Sequence, residues 1–211
     1  MYYLIRVLLG IILITPVLVC KKLPLINTRA KRMVTSLLVC AITVLSFAIP
    51  IENAFYTFPS AEAVYKYQST KPQSIFLVLD GKESSFVASG QIHKKTCRII
   101  PKEADGWKID AGLSQLRGVK RYDSVTENVI LETIQYRDTE DYYFGIIIKN
   151  FDGEDFEVTD NRNTEFTYLT MEFKRFSKTG NYEYYAACIP AMDASYCITI
   201  NGEEFYPLRK T

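Results

Sequence analysis

Apolar and polar positions divide the chain near residue 51. Ahead of that point, YYLIRVLLGIILITPVLVC (2–20) and MVTSLLVCAITVLSFAIPI (33–51) are two almost unbroken apolar runs. Each is 19 residues long, close to the ~20 that a helix needs to cross a hydrocarbon layer. Neither run has a polar face recurring every three to four residues, so neither spells the amphipathic helix of a soluble core. They predict two N-terminal transmembrane α-helices. Gly10 and Pro16 are tolerated in such spans. Arg6, the single charge in either run, lies near an end, where its side chain can snorkel to the headgroups.

Beyond residue 51 the period changes. In PSAEAVYKYQ, Ser60 can cap a helix, Glu62 suits its first turn, and Ala61, Val64, Tyr65 and Gln68 recur at helical spacing. One short helix is predicted over about 60–69. From residue 74 onward, apolar segments of strand length alternate with turn residues. SIFLVL and SSFVAS flank Asp80-Gly81, TCRIIPK and WKI flank Asp105-Gly106, and NVILETIQYRD and DYYFGIIIKNF flank Thr139-Glu140. EFTYLTMEFKRF, NYEYYAACIP, SYCITI and EFYPL complete the series, with turns at Lys178-Thr179-Gly180-Asn181 and Asn201-Gly202. The polar stretch 112–127 reads as loop or short helix. Strands in succession with no long helix between them predict a mainly antiparallel β domain of α+β type, built as a meander or a sandwich.

Charge adds orientation. The net charge of +1 hides a front, residues 1–50, with six Lys or Arg and no acid, and a body, residues 51–211, with 19 basic and 24 acidic residues. Lys21, Lys22, Arg29, Lys31 and Arg32 all fall in KKLPLINTRAKR, 21–32, between the apolar runs. Short loops rich in Lys and Arg are retained in the cytoplasm. These five residues therefore predict a multi-pass protein of the cell membrane, with the N-terminus and the C-terminal domain outside. Tyr2, Tyr3, Phe55, Tyr56 and Phe58 fall at that same outer interface, where aromatic rings are favoured. The expected organisation is a membrane anchor over 1–51 and an extracytoplasmic β-rich domain over 52–211. Ser46-Phe47-Ala48 leaves an alternative open, cleavage after Ala48 as from a leader. An acidic body without clustered positive charge argues against nucleic acid as a partner, so the lipid bilayer is the expected one.

The residues that carry chemistry are sparse. Cys20 and Cys40 lie in the apolar runs; Cys97, Cys188 and Cys197 lie in the body. A two-residue turn at Met192-Asp193 sets Cys188 opposite Cys197, with Cα atoms roughly 4.5 Å apart in a non-hydrogen-bonded pair. That makes them a disulfide candidate, against free thiols or a bridge to Cys97. His93, the single histidine, reads as a surface residue and excludes any multi-histidine metal site. Asp152, Glu154, Asp155, Glu157 and Asp160 are rich in oxygen ligands for a hard cation, but their spacing is not that of an EF-hand, and alternating acids also keep an edge strand soluble. No Walker, HExxH or GxSxG pattern occurs, no cofactor motif is present, and nothing selects a catalytic pair among 24 acids. In Tyr142-Tyr143 and Tyr184-Tyr185, neighbours on a strand point to opposite faces, so one ring of each pair belongs to the core and the other to the rim.

IPIENAFYTFPSAEAVYKY (49–67), followed by IFLVLDGKESSFV, resembles a group of small uncharacterised membrane proteins of Gram-positive bacteria. The resemblance implies a two-span anchor with an extracytoplasmic domain and transfers no functional residue. Together these readings predict a membrane-anchored module that binds a ligand at the cell envelope, a cell-wall component or a membrane protein partner. The alternatives are an envelope hydrolase using carboxylates and a non-catalytic subunit of a larger membrane complex.

Overall fold

The computed structural model describes residues 2–19, 28–110, 119–125, 128–151, 153–175 and 178–208. Among them are three α-helices, α1 (Tyr2–Val19), α2 (Arg29–Ala48) and α3 (Ala61–Gln68). Twelve strands follow: β1 (Ile75–Asp80), β2 (Ser84–Ser89), β3 (Thr96–Glu103), β4 (Gly106–Trp107), β5 (Val119–Val125), β6 (Val129–Tyr136), β7 (Asp141–Asn150), β8 (Val158–Asp160), β9 (Thr167–Arg175), β10 (Lys178–Pro190), β11 (Ile198–Ile200) and β12 (Glu203–Phe205). The strand pairings are antiparallel throughout, so the fold is α+β with antiparallel sheets.

The helical front differs from expectation in one respect. Of the two predicted spans, only one helix meets the length and apolarity needed to cross a membrane, the Arg29–Phe47 stretch of α2. The apolar stretch of α1, Tyr2–Val17, is shorter. At about 1.5 Å per residue it covers roughly 24 Å, less than a hydrocarbon core of roughly 30 Å. The helix α2 also starts earlier than expected, capped by the Thr28 hydroxyl on the Lys31 amide. Arg29, Lys31 and Arg32 therefore occupy its first turn and not a loop, while Lys21 and Lys22 lie outside the described residues. At its other end α2 stops at Ala48, and Pro50 leads into a 3₁₀ turn, Ile51–Ala54. The helices α1 and α2 pack side by side; a Cβ on Gly10 would lie 2.9 Å from Thr43 Cγ2, so only glycine permits this approach.

Behind the helices the strands form sheets in the orders β1-β2-β3-β4, β5-β6-β7-β10-β9 and β12-β11-β8. Strand alternation explains how they stack. Val87 and Ile100 of the first sheet face Ala61, Val64 and Tyr65 of α3. Phe86 and Ala88 point the other way, onto Ile134, Tyr143, Ile147 and Tyr184 of the second sheet. The far face of the second sheet, with Phe144, Ile146, Ile148 and Ile189, packs on Tyr196, Ile198 and Ile200 beside and within the third. The domain is thus four layers deep: helix and three sheets. Strand β7, covered on both faces, is buried at nearly every position, which is why DYYFGIIIKN reads as continuous and not alternating.

Strand β2, SSFVAS, is buried along its whole length by the same double cover. Its serines are each provided for: Ser84 bonds Asp141 and Tyr143, Ser85 bonds Asp80 and Trp107 Nε1, and Ser89 meets the Tyr65 hydroxyl. In each tyrosine pair the inner ring is the core one, Tyr143 and Tyr184, with Tyr142 and Tyr185 only half-buried.

Part of the stretch expected as loop or helix, residues 119–125, is strand β5, paired with β6 from Val119–Tyr136 to Val125–Ile130. VKRYDSV lacks an apolar alternation because it is an edge strand of the five-stranded sheet. The rest of that stretch lies largely outside the described residues. The architecture is a layered sandwich, since β9 reaches the second sheet through β10 and β8 leaves for the third.

The hairpin expected about Met192-Asp193 does not form. Ala191 adopts φ 48° and turns the chain out of the second sheet, and β11 then pairs with β8 and β12. Cys188 stays in the core between the first two sheets, Cys197 is buried at the entry to the third, and both are free thiols.

Candidate functional site

The core between the first and second sheets does not close at one end, and a cleft remains there. It forms where the 3₁₀ turn Ile92–Lys94, which leads into β3, stands over the face of the second sheet. Two adjoining hollows of about 480 Å³ and 440 Å³ share His93, Lys149 and Tyr182 as a common wall.

Register determines what lines it. Tyr182 of β10 sits opposite Lys149 of β7 on one side and Met171 of β9 on the other. One step outward, Gly180 is opposite Phe173. A Cβ on Gly180 would come within 3.2 Å of Phe151 Cδ1 and 3.0 Å of Phe173 Cζ, so the glycine leaves room for both rings. The result is an aromatic row. Phe151 and Phe173 meet edge to face at 5.1 Å, Phe173 and Tyr182 lie 4.2 Å apart, and His93 stacks on Tyr182 at 5.2 Å with 15° between the planes. Offset and edge-on contacts of this kind are the favoured arrangements of aromatic rings.

The charges fall into two kinds. Lys95 Nζ lies 2.6 Å from Glu132 Oε2 and 5.0 Å from the centre of the Tyr184 ring, so its charge is matched inside the wall. Lys149 and the exposed Lys94 also line the cleft, and among the described residues neither forms an ion pair. The cleft therefore offers flat aromatic faces beside two ammonium groups without an ion pair among the described residues, with the exposed Glu172 carboxylate also lining the second hollow. Arrangements like this bind rings by stacking and anionic groups by charge, with no reacting group required.

A second polar cluster is structural. Asp141, at the start of β7, accepts from the amides of Lys82 and Glu83, each at 2.8 Å, and from the Ser84 hydroxyl at 2.9 Å. It fastens the β1–β2 turn to the second sheet. Ser84 also meets the Tyr143 hydroxyl at 2.7 Å, and burial pushes the Tyr143 phenol far above its ordinary range. A third cluster joins the N-terminal helices to the domain. Arg6, 3% exposed, makes a two-pronged ion pair with Glu52 at 2.7 and 2.5 Å, and Tyr67 donates to Glu52 Oε1 at 2.6 Å. Burial pushes the Glu52 carboxyl up, but the hydrogen bonds from Arg6 and Tyr67 outweigh it and bring it down to about 2.

Among the described residues the acidic stretch does not converge on a common point. Asp152 lies outside the described residues. Glu154 and Asp155 are exposed, and the backbone of Glu154 is held by Asn150. Asp160 turns inward; burial raises its carboxyl, yet hydrogen bonds from Thr164, Arg162 and Tyr196 bring it below the ordinary carboxylate range. Among the described residues no three acids, histidines or cysteines converge. His93, read as a surface residue in the sequence, is exposed, and its ring forms part of the wall of the cleft. No local signal marks it, because its partner Tyr182 comes from a strand 89 positions on.

Comparison of the chain with protein-family models, with curated proteins and with solved structures finds no match.

Proposed function

We propose that this protein is a membrane-anchored binding module whose β-rich domain stands outside the cell membrane and takes a negatively charged, ring-bearing envelope polymer in its cleft. The observation that carries this reading is the aromatic row of Phe151, Phe173, Tyr182 and His93 beside Lys94 and Lys149. Aromatic faces suit the apolar faces of sugar rings, and the lysines suit carboxylate or phosphate substituents.

The anchor rests on α2, which is predominantly apolar beyond its basic first turn and almost wholly unburied within the molecule. Arg29, Lys31 and Arg32 at its start, with Lys21 and Lys22 just before, orient it with that end in the cytoplasm. In this reading α1 is a second membrane helix despite its length. Its outer end, at Tyr2, is buried under the domain against Tyr67, and Arg6 is matched by Glu52, so the domain itself covers the part that lipid does not.

The test uses the full chain in lipid nanodiscs, with polygalacturonate as the anionic probe and dextran as the neutral one. Binding of polygalacturonate alone, weakened by salt and lost in Lys149→Glu and Tyr182→Ser, supports the reading. Equal binding of both polymers, or an affinity indifferent to these substitutions, removes it. Orientation is tested separately by labelling a cysteine placed at the exposed Gly153 with an impermeant maleimide on intact cells; protection there would put the domain inside.

A further inference from the structure

A second hollow, of about 370 Å³, lies where α1 meets the domain. Ile5 and Leu9 of α1 form one wall and Phe55 and Tyr56, just beyond α2, form the other. Its floor is polar in composition but closed in charge. Arg6 donates to Ser46 O at 2.6 Å, to Tyr2 O at 3.2 Å and to both oxygens of Glu52, and it lies 3.5 Å from the centre of the Tyr2 ring. Glu52 is further bonded by the Tyr67 hydroxyl. The floor therefore has no spare charge with which to recognise a headgroup. What it leaves uncovered is hydrocarbon: Phe55 is 86% exposed and Tyr56 54% exposed.

We propose that this hollow holds one acyl chain of a membrane lipid, bent upward from the bilayer along α1; this rests on the membrane anchorage proposed above. Three observations select that occupant. The mouth is continuous with an apolar face of α1 on which Ile5, Leu8, Leu9 and Ile12 are all exposed, so in that anchorage a chain reaches the slot without crossing water. Phe55 and Tyr56 follow α2 after the short 3₁₀ turn, where the proposed anchorage would set them at the lipid interface that favours aromatic rings. The volume is at the lower end of ligand pockets, which run from about 300 Å³ upward, and too small for a helix about 10–12 Å across.

The experiment is photolabelling of the full chain in phospholipid nanodiscs, using a phosphatidylcholine with a diazirine at the end of one acyl chain, followed by peptide mapping. A chain terminus ordinarily samples the bilayer centre. The slot predicts adducts on Phe55 and Tyr56 as well as on central positions such as Ile12 and Leu37. Leu9→Trp fills the slot from an exposed position and should remove the adduct on Tyr56 while leaving those on Ile12 and Leu37. Phe55→Ser, which opens one wall at a solvent-facing residue, should do the same. Labelling confined to the central positions, or adducts on Tyr56 that both variants leave unchanged, overturns the proposal while the anchor stands. Labelling on neither helix removes the anchor and the slot together.

Discussion

Lys95 Nζ and Glu132 Oε2 are 2.6 Å apart at a place where the two side chains are only 7% and 13% exposed. Glu132 belongs to the second sheet and Lys95 to the approach to β3, so the pair ties the two sheets together at the mouth of the cleft. Removing one member of a buried pair leaves the other charge without its match, a cost of about 3–5 kcal/mol, whereas replacing both by apolar groups is often neutral. Lys95→Met should therefore lower stability by that amount, and Lys95→Met with Glu132→Leu should recover most of it. Denaturant unfolding of the full chain in nanodiscs, followed by the fluorescence of its single tryptophan, Trp107, checks both. Equal stability of the single and double variants would mean that the pair is not coupled.

Glu52 makes the junction between the N-terminal helices and the domain sensitive to acid. Its carboxyl titrates near 2 instead of its ordinary 4.5, so the folded state favours the charged form. The stability that this group contributes is complete above about pH 4.5 and is lost as pH falls toward 2. Tyr67, raised to about 12 by burial and by its bond to Glu52, keeps its proton across that window. In Glu52→Gln the excess stability of the native chain should be largest at pH 6 and shrink steadily between pH 4.5 and 2. A gap that does not change with pH would show that the Arg6–Glu52 pair does not govern the junction.

Asp141 is 1% exposed and holds two backbone amides and a hydroxyl at the β1–β2 turn. Asp141→Ala removes the acceptor of two part-buried amides, while the Ser84 hydroxyl keeps Tyr143, and an expected loss of about 1–3 kcal/mol follows. Asp141→Asn keeps one acceptor and should lose less. Thermal unfolding of the three forms orders them; an alanine variant as stable as the native chain would mean that the turn is held by other contacts.

What the sequence made legible is local. The apolar runs, the Ser60 cap of α3 and the hairpins about Asp80-Gly81, Thr139-Glu140 and Asn201-Gly202 each depend on residues close in the chain, and each stands in the structure. That Arg29, Lys31 and Arg32 belong to the first turn of α2 was not legible, because an apolar run does not mark where its helix begins. The cleft was hidden for a different reason. It takes Glu132, Lys149, Phe173 and Tyr182 from four strands whose order, β6-β7-β10-β9, departs from chain order, and His93 from the 3₁₀ turn between β2 and β3. No spacing within the chain encodes that register.

The cysteines show how one such departure changes chemistry. Symmetry about Met192-Asp193 favours a bridge only if β10 and β11 form a hairpin, and they join different sheets instead. Cys188 then lies opposite Tyr143, packed in the core, where burial and the nearby Asp141 and Asp80 push its thiol up to about 12. Because the thiolate is the reactive form, Cys188 should resist alkylation at pH 8 in the native chain, both by inaccessibility and by protonation. Once the chain is unfolded, Cys188 and Cys197 should both react fully without any reductant. Peptide mass mapping after alkylation in denaturant, with and without prior reduction, decides the matter. If Cys188 and Cys197 both gain a label only after reduction and a single cross-linked peptide joins them, they are bridged in the native protein, and β10 and β11 must then come together in a way that the sheet order given above does not allow.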